Sequence, residues 1–329
     1  MQNFYFILYM LDSILEERGL TMTVSVRAYS TSGVTQTPLT FVRYSVPHEG
    51  HTYYSDDPNE DTILLDRKRG LAAVFDGVGS GPGQVASRLA ARVMRRTWKK
   101  LHTEPCIVPF SSFPRLEEMI LHLFDAAHQQ IILEGERRAQ SMQEYTRYPA
   151  TTAALTLFSY DEDAHIYYMS YAHVGDSRIY LWRPDHGLKR LTDDDGYLAL
   201  KISDGSITPE DALRIDQASN ISELSRLEKS YFDNRNGITQ ALGHEKSMDV
   251  HIGHIDVQPG DRVLLCSDGI HDNLTDKTLA LLLEKEKRTT AARKIVQQAI
   301  ASSHQNVAEN MRAKSDDMSA VVITCTTIS

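Results

Sequence analysis

The order of predicted strands and helices restricts the possible folds of this chain more than any other sequence feature. Two helical segments interrupt a series of short strands, and two more precede the last strand. Strict strand–helix alternation would indicate a doubly wound parallel sheet, and this order departs from it. Antiparallel sheets packed on each other, with helices outside, explain it better. The predicted strands, rich in β-branched and aromatic residues, are Thr62–Leu65, Leu71–Phe75, Thr152–Phe158, Ile166–His173, Arg178–Trp182, Arg262–Cys266 and Ala320–Cys325.

The helices are predicted from apolar residues that recur at helical spacing. One helix is expected between residues 85 and 101, and another carries its apolar face from Leu116 to Ile131. A shorter helix begins at "TPED", where Thr208 and Asp211 form a capping box. The last two helices are predicted over Lys277–Lys287 and Thr290–Ser302.

The N-terminal region differs in composition from the rest of the chain. Residues 22–40 are rich in Thr and Ser, so we expect a flexible or edge-pairing arm over residues 1–40 and a single domain over 41–329. The segment "LEERGLTM" can be encoded by a purine-rich run resembling a bacterial ribosome-binding site. We therefore expect translation to start at Met22 and residues 1–21 to be a gene-model artefact.

Composition excludes several classes of function. A net charge of -9 argues against binding to a nucleic-acid backbone. No stretch reaches the roughly 18 apolar residues of a membrane span, so no membrane partner is expected. The three cysteines form no CxxC pair and no complete disulfide framework, which excludes a thiolate zinc site and favours a reducing cytoplasm.

The segment "GLAAVFDGVGSGPGQVASRLAARV", residues 70–93, has the strand, glycine loop and helix of a phosphate-binding loop. A dinucleotide fingerprint, however, requires glycine where Pro82 or Gln84 stands. A Walker loop requires a GK[ST] ending, which is absent. Nucleotide binding by this loop is therefore a weak interpretation.

Acidic residues follow or precede several predicted strands. Asp76 ends "AAVFD", Asp268 follows "LLCS", Asp316 stands just before the last strand, and Glu60-Asp61 precede the strand at residue 62. Each one alone is typical of a turn. A buried set of carboxylates, however, would repel itself unless cations neutralised it. Oxygen ligands without paired histidines indicate hard ions such as Mg²⁺ or Mn²⁺.

The same segments carry a family resemblance. In order, "AVFDGVGSGPGQVAS", "ATTAAL", "AHVGDSRIYLW", "LKRLTDDDG", "GSITPEDA", "GITQALG", "VQPGDRVLLCSDGI" and "SDDMSAVVI" resemble the PP2C-like, metal-dependent (PPM) serine/threonine phosphatases, especially the bacterial branch. The resemblance covers roughly residues 41–326. It implies an α+β fold, a four-layer αββα sandwich of two antiparallel sheets flanked by helices, with a two-metal site at one end.

The resemblance also implies metal ligands. Asp76 matches the carboxylate that bridges two Mn²⁺ or Mg²⁺ ions, and Gly77 offers its carbonyl to the second ion. Asp268 and Asp316 match the other ligands of the first ion. On this view the glycines allow a sharp turn that points Asp76 and the Gly77 carbonyl at the same ion.

Further acids complete the implied site. Glu60 and Asp61 match the acidic pair that holds the second ion, directly or through water. Asp176 of "GDSR" matches the residue that binds a third, weaker ion together with Asp268 in some members. Asp76 and Asp268 are therefore the expected catalytic carboxylates.

The chain also departs from the family pattern. Val78 stands where the eukaryotic branch has a proposed general-acid histidine. Asp56 lies near the place of the usual phosphate-binding arginine, for which Arg43 is the candidate substitute. Ala150 replaces the glycine of "GTTA", and Asp317 replaces an asparagine.

The implied function is hydrolysis of phosphoserine and phosphothreonine in proteins by a water that two metal ions activate. Its expected partners are phosphorylated proteins and a serine/threonine kinase of opposing activity. Two alternatives stay open: a catalytically weak or silent regulatory module of the same shape, and a metal-dependent phosphohydrolase for small molecules.

Overall fold

The computed structural model describes residues 24–26, 39–47, 59–78, 82–141, 148–244 and 248–326, with the backbone alone for 24–26. The predicted Met22 start and the segment before it lie outside the described residues. So do residues 79–81 of the glycine loop and Asp56.

Within these residues the strands form two six-stranded sheets. The first sheet is antiparallel and has the order β1-β2-β12-β11-β8-β9. Its central strand β12 is buried along its whole length, which explains its continuous apolar sequence "MSAVVITC". Numbered along the chain, its strands are β1 (Val24–Val26), β2 (Leu39–Val46), β8 (Arg178–Arg183), β9 (Gly187–Arg190), β11 (Arg262–Cys266) and β12 (Met318–Cys325).

The second sheet has the order β10-β7-β6-β4-β3, and a short β5 runs parallel to β6. The other pairs are antiparallel. Strand β4, "LAAVF", is buried at every position. The strands of this sheet are β3 (Thr62–Asp66), β4 (Leu71–Phe75), β5 (Val108–Pro109), β6 (Ala153–Asp161), β7 (Ile166–Val174) and β10 (His251–Val257).

The two sheets pack face to face over a shared apolar core. Phe41 of the first sheet meets Phe158 of the second edge to face, with ring centroids 6.1 Å apart. Val74 and Leu265 lie in the same buried cluster. Side chains that alternate along each strand therefore leave the opposite face of each sheet to be covered by helices.

Helices cover both outer faces. Trp98 of α1 (Gly83–Leu101) and Phe124 of α2 (Phe113–Ser141) are fully buried against the second sheet. On the first sheet, Leu279 of α7 (Asp276–Lys285) and Ile295 of α8 (Ala291–Ser303) are equally buried. The predicted four-layer αββα sandwich is confirmed.

The seven predicted strands are present, with ends that differ by up to three residues. Five strands were not predicted from the sequence: β1, β2, β5, β9 and β10. Strand β2 begins at Leu39, inside the segment assigned to the arm, and pairs with the backbone of Val24–Val26. Arg43 and Ser45 interrupt its apolar pattern, β9 is half charged, and β10 carries two histidines and an aspartate. These strands therefore lack a strong apolar signal.

Residues 197–236, between β9 and β10, form a segment that we call the insertion. The predicted capping box is confirmed: Thr208 Oγ1 accepts a hydrogen bond from the Asp211 backbone at 3.1 Å. The insertion contains more helical structure than the one helix predicted at "TPED", and its Phe232 is 1% exposed. The insertion contains α3 (Tyr197–Ser203), α4 (Pro209–Gln217), a 3₁₀ turn (Ile221–Glu223) and α5 (Arg226–Asp233).

In the part of the chain that the structure describes, no helix is both long enough and apolar enough to cross a bilayer.

Candidate metal centre

The sheet registers bring the predicted acidic residues to one end of the sandwich. Thr62 pairs with Phe75, so Asp61 and Asp76 leave neighbouring strands at the same edge. In the other sheet, Cys266 pairs with both Ala320 and Arg178, which places the remaining acids at the matching edge. We call this group the carboxylate cluster; its members are Asp61, Asp76, Asp176, Asp268 and Asp316.

Four carboxylates of the cluster, those of Asp61, Asp76, Asp176 and Asp268, have a raised pKa. Burial raises the pKa of Asp76 well above its ordinary value, and the carboxylates of Asp268 and Asp61 raise it further. Burial and Asp268 also raise the pKa of Asp176. The pKa of Asp268 is raised by burial, although Lys314 opposes the shift. These shifts mean that, as it stands, the cluster carries more negative charge than its surroundings balance.

Among the members of the carboxylate cluster, Asp61 gives the clearest indication of a bound cation. Ser267 Oγ donates a hydrogen bond to Asp61 Oδ2 at 2.7 Å, whereas none of the described residues donates to the buried Oδ1 atom. Burial raises the pKa of Asp61, against the hydrogen bond from Ser267. A buried carboxylate oxygen without a donor is costly unless a cation faces it. The unpaired oxygen and the oxygen-only donor set therefore fit a hard divalent cation.

Two threonines fix the backbone of Asp76. Thr151 Oγ1 and the Thr152 amide both donate to the Asp76 carbonyl, at 2.7 and 2.8 Å. Thr152 Oγ1 in turn accepts from the Asp76 amide at 3.2 Å. The "TT" of the "ATTAAL" segment thus orients the central acid of the cluster.

The glycine after Asp76 is packed too closely for any side chain. Gly77 does not adopt a left-handed φ. The sharp turn of the glycine loop stays a prediction, because residues 79–81 lie outside the described residues. A Cβ on Gly77 would lie 2.5 Å from the Gly83 carbonyl carbon and 2.9 Å from Glu60 Cβ. Close packing of the glycine loop against Glu60 therefore excludes a side chain here, and it places Glu60 beside Gly77.

Close packing also excludes a side chain at Gly269, the glycine that follows Asp268. A Cβ at this position would lie 2.1 Å from the carbonyl oxygen of Asp317. The second "DG" pair therefore allows Asp268 to approach the segment that carries Asp316.

Lys314 is the functional side chain that sequence analysis missed. Its Nζ atom lies 2.6 Å from Asp268 Oδ2, 2.7 Å from Asp272 Oδ2 and 2.8 Å from Asp316 Oδ2. Despite burial, these three carboxylates raise the pKa of the ammonium well above its ordinary value. The available signal was "KSDD", a cation two residues before a predicted ligand.

The acids are close enough to interact but are not arranged as a finished coordination sphere. Among the described residues, no three His, Cys, Asp or Glu side chains converge tightly enough to hold an ion as they stand. Mutual repulsion and the ammonium between Asp268 and Asp316 both oppose such convergence. Binding of an ion would therefore require the side chains to close around it.

Comparison with known proteins places the chain in a family. A family model described as protein phosphatase 2C matches residues 50–303. The chain belongs to the protein phosphatase 2C family. Among curated relatives, the serine/threonine protein phosphatase PstP of Mycobacterium tuberculosis is 26% identical over 244 residues, which are 74% of this chain and 39% of PstP. The serine/threonine phosphatase stp of Listeria monocytogenes is 26% identical over 222 residues, 67% of this chain and 73% of that protein.

Solved structures share the fold. The crystal structure of the M. tuberculosis phosphatase PstP/Ppp has a TM-score of 0.64 at 22% identity and covers 88% of this chain and 99% of that one. The PstP catalytic domain in complex with two manganese ions has a TM-score of 0.62, again at 22% identity, and covers 88% of this chain and 98% of that one. The match with this chain thus spans about two fifths of the full length of PstP.

Two departures from the 2C family pattern have structural explanations. The carbonyl of Ala150 accepts a hydrogen bond from the Val78 amide at 2.9 Å, a contact that needs no glycine. Asp317 Oδ2 accepts from the Glu60 amide at 2.6 Å, so its carboxylate supports the backbone of the acidic pair.

Arg43, the candidate phosphate-binding residue of this 2C-family chain, lies on β2 opposite Val321. Side chains alternate along a strand, so Arg43 shares its face with Ser45, about 7 Å further along. Ser45 Oγ accepts a hydrogen bond from Asn59 Nδ2 at 2.8 Å, immediately before Glu60. The face that carries Arg43 therefore leads to the carboxylate cluster.

His271 lies beside the cluster and is a candidate proton donor, because Val78 can supply no proton. It is buried, and its Nε2–H donates to the Asp176 carbonyl at 3.0 Å. Burial, together with the charge of Arg178, lowers the pKa of His271 to about 4. The ring is therefore neutral near pH 7, which argues against imidazolium acting as the acid.

A second group of buried charges adjoins the cluster, and we call it the arginine network. Arg178 forms ion pairs with Asp194 at 2.6 Å and Asp216 at 2.9 Å, and Arg190 lies 3.4 Å from Asp216. Although burial opposes ionisation, these arginines hold the pKa of Asp216 well below its ordinary value. The network joins α4 of the insertion to the first sheet. Asp176, Asp216 and His271 line a shared cavity of about 310 Å³.

Proposed function

We propose that this protein is a divalent-metal-dependent phosphatase that hydrolyses phosphoserine and phosphothreonine in proteins. The observation that carries the proposal is the carboxylate cluster, in which burial and mutual repulsion raise the pKa of several acids and one buried oxygen of Asp61 has no donor. Family membership supports the reaction class. The name of PstP supports serine and threonine phosphates as substrates.

We assign the residues to ions as the family resemblance implies. Asp76, Asp268 and Asp316 would hold the first ion. Asp76, the Gly77 carbonyl and the pair Glu60-Asp61 would hold the second. Asp176 would share a third, weaker ion with Asp268. The PstP structure with two manganese ions supports Mn²⁺, and the oxygen ligands suit Mg²⁺ equally.

When bound, the ions supply the positive charge that activates a water for in-line attack and offsets charge on the phosphoryl oxygens. The water oxygen forms the new bond to phosphorus, the bond to the seryl or threonyl oxygen breaks, and the leaving oxygen takes up a proton. Thr151 and Thr152 keep Asp76 in place, and Ser267 orients Asp61. No covalent phosphoenzyme is required.

The proposed reaction indicates the partners of the protein, and its cysteines indicate the location. We propose phosphorylated proteins as substrates and an opposing serine/threonine kinase as functional partner. The three cysteines are free, and Cys266 and Cys325 are buried, which supports a reducing, cytoplasmic location.

Chelation tests the proposal. Phosphopeptide hydrolysis should disappear in excess EDTA and return with Mn²⁺ or Mg²⁺, but not with Ca²⁺, whose larger and looser coordination suits the reaction poorly. Parallel assays on small phosphate esters separate a protein phosphatase from a small-molecule phosphohydrolase. Full activity in EDTA would contradict the metal assignment.

A silent regulatory module is the second candidate, and the ammonium of Lys314 among the acids is the observation that favours it. The two functions differ in the same assay. Binding of Mn²⁺ without any hydrolysis of phosphopeptides or aryl phosphates would establish the silent module.

A further inference from the structure

Lys314 occupies the part of the carboxylate cluster where a first divalent ion is proposed. Its ammonium lies within 2.8 Å of Asp268 and Asp316, two of the three side chains assigned to that ion. The side chain is 28% exposed, so it reaches into the cluster from the rim. A cation of this kind offsets the same negative charge that a metal ion would offset.

The position of Lys314 is built into the fold. Its backbone amide donates to Asn273 Oδ1 at 3.0 Å, and its carbonyl accepts from Asn273 Nδ2 at 2.9 Å. Asn273 is buried and also donates to the Gly269 carbonyl at 2.9 Å. The lysine backbone is thereby tied to α6 (Asp268–His271), the short helix that begins with Asp268.

The third partner of the ammonium gives it an alternative position. Asp272 is 2% exposed and lies 2.7 Å from Lys314 Nζ, and Arg235 also contacts it at 3.4 Å. Asp272 is not among the assigned ligands. The ammonium can therefore leave Asp268 and Asp316 while it keeps Asp272, because the flexible stem of lysine allows this shift.

We propose that Lys314 is a tethered cation that competes with the first divalent ion for Asp268 and Asp316, so that metal entry requires the ammonium to withdraw towards Asp272. The inference rests on the proposed metal site. The proposed competition has two measurable consequences, one for metal affinity and one for stability. The lysine weakens metal binding, and it stabilises the metal-free protein by neutralising acids that would otherwise repel each other.

The test measures metal binding directly. Isothermal titration calorimetry with MnCl₂, at one fixed pH and ionic strength, compares the wild type with Lys314→Met and Lys314→Gln. Lys294→Met is the matched control, since it removes the same charge from the exposed surface of α8. Both Lys314 variants should bind the first Mn²⁺ at least about tenfold more tightly, or about 1.4 kcal/mol. The control should stay within about twofold of the wild type.

Thermal unfolding separates competition from a purely structural role. Lys314→Met should unfold several degrees lower than the wild type in EDTA, and saturating Mn²⁺ should remove that deficit. If Lys314→Met fails to fold without metal, the same measurement is made on Lys314→Gln, because the glutamine amide still donates hydrogen bonds to the carboxylates. An equal deficit with and without Mn²⁺, with unchanged affinity, would overturn the proposal.

The outcomes also distinguish this inference from the proposed function. A wild type that binds Mn²⁺ and hydrolyses phosphopeptides, with Lys314 variants of unchanged affinity, contradicts the competition alone. Absence of Mn²⁺ binding in the wild type and in every variant contradicts both. Binding that appears only after Lys314 is replaced would support the competition in its strongest form.

Discussion

The carboxylate cluster and the arginine network lie side by side at one end of the sandwich, yet their acids titrate in opposite directions. Burial raises the pKa of Asp76, and repulsion from Asp268 adds to the shift. Asp216 is just as enclosed, but Arg178 and Arg190 hold its pKa well below the ordinary value. Burial alone therefore does not decide the outcome; the presence of a matched cation does.

This difference separates structural charge from functional charge. The arginine network is balanced by side chains of the chain itself, and it fastens the insertion to the first sheet. In the carboxylate cluster, Lys314 pairs with two of the acids, Asp268 and Asp316. The network should therefore support stability, whereas the cluster should depend on an ion from solution.

The largest effect is expected at Asp76. Replacing Asp76 with Asn should lower phosphopeptide hydrolysis by about 10⁴-fold or more, equivalent to about 5.4 kcal/mol, because the charge proposed to bridge the two ions is lost. The same change should raise the stability of the metal-free protein at pH 8, since it removes a buried repulsion. Activity assays and urea unfolding in EDTA measure the two effects.

Asp185→Asn is the matched control for Asp76→Asn. Asp185 is exposed in a turn with a φ of 64°, a conformation that Asn also tolerates, so both activity and stability should stay unchanged. A rate above a tenth of the wild type in Asp76→Asn would mean that another residue bridges the ions.

The next effect concerns the arginine network. Arg178→Met leaves Asp194 and Asp216 without their main counter-charge, and breaking a buried pair costs about 3–5 kcal/mol. Urea unfolding should show this loss both with and without Mn²⁺. Arg137→Met is the control, because the Arg137–Glu134 pair is exposed and such pairs contribute little. A loss below about 1 kcal/mol in Arg178→Met would show that the network is not the anchor.

The layered fold could be predicted from sequence because its central strands and outer helices have strong apolar patterns. Strand β12 and the helix that carries Phe124 are buried wherever the pattern predicts it. Strand β9 and helix α5 were missed, because half of the residues in each are charged. Their positions depend on tertiary contacts such as the burial of Phe232.

The acids of the site were predictable in part, because each stands at a strand end beside a glycine or a second acid. The structure brings them to one end of the sandwich, while their roles as ligands remain proposals. Lys314 was not predicted, since nothing in one sequence shows that a lysine will reach Asp268, 46 residues away. The close approach of Gly77 to Gly83 likewise appears only when the loop is folded.

The smallest effect joins the two regions, because His271 lies between them. Burial, together with Arg178, lowers its pKa to about 4, whereas an unfolded chain has a histidine pKa of about 6.5. Its neutral form is therefore favoured on folding, and this contribution is fully present above pH 6.5 and is lost as the pH falls towards 4. The charged groups that act on the ring are Arg178, Asp272, Asp194 and Asp268.

We therefore expect the wild type to lose about 2 kcal/mol more stability than His271→Gln between pH 7 and pH 5, measured by urea unfolding in EDTA. Glutamine keeps a donor for the Asp176 carbonyl but does not titrate. His186→Gln, at an exposed histidine, should leave the pH dependence of the wild type unchanged. Activity of His271→Gln in saturating Mn²⁺ should keep the wild-type pH profile, because a neutral ring supplies no proton as imidazolium. Loss of the basic limb of that profile, where an essential acid deprotonates, would instead identify His271 as the proton donor that Val78 cannot be.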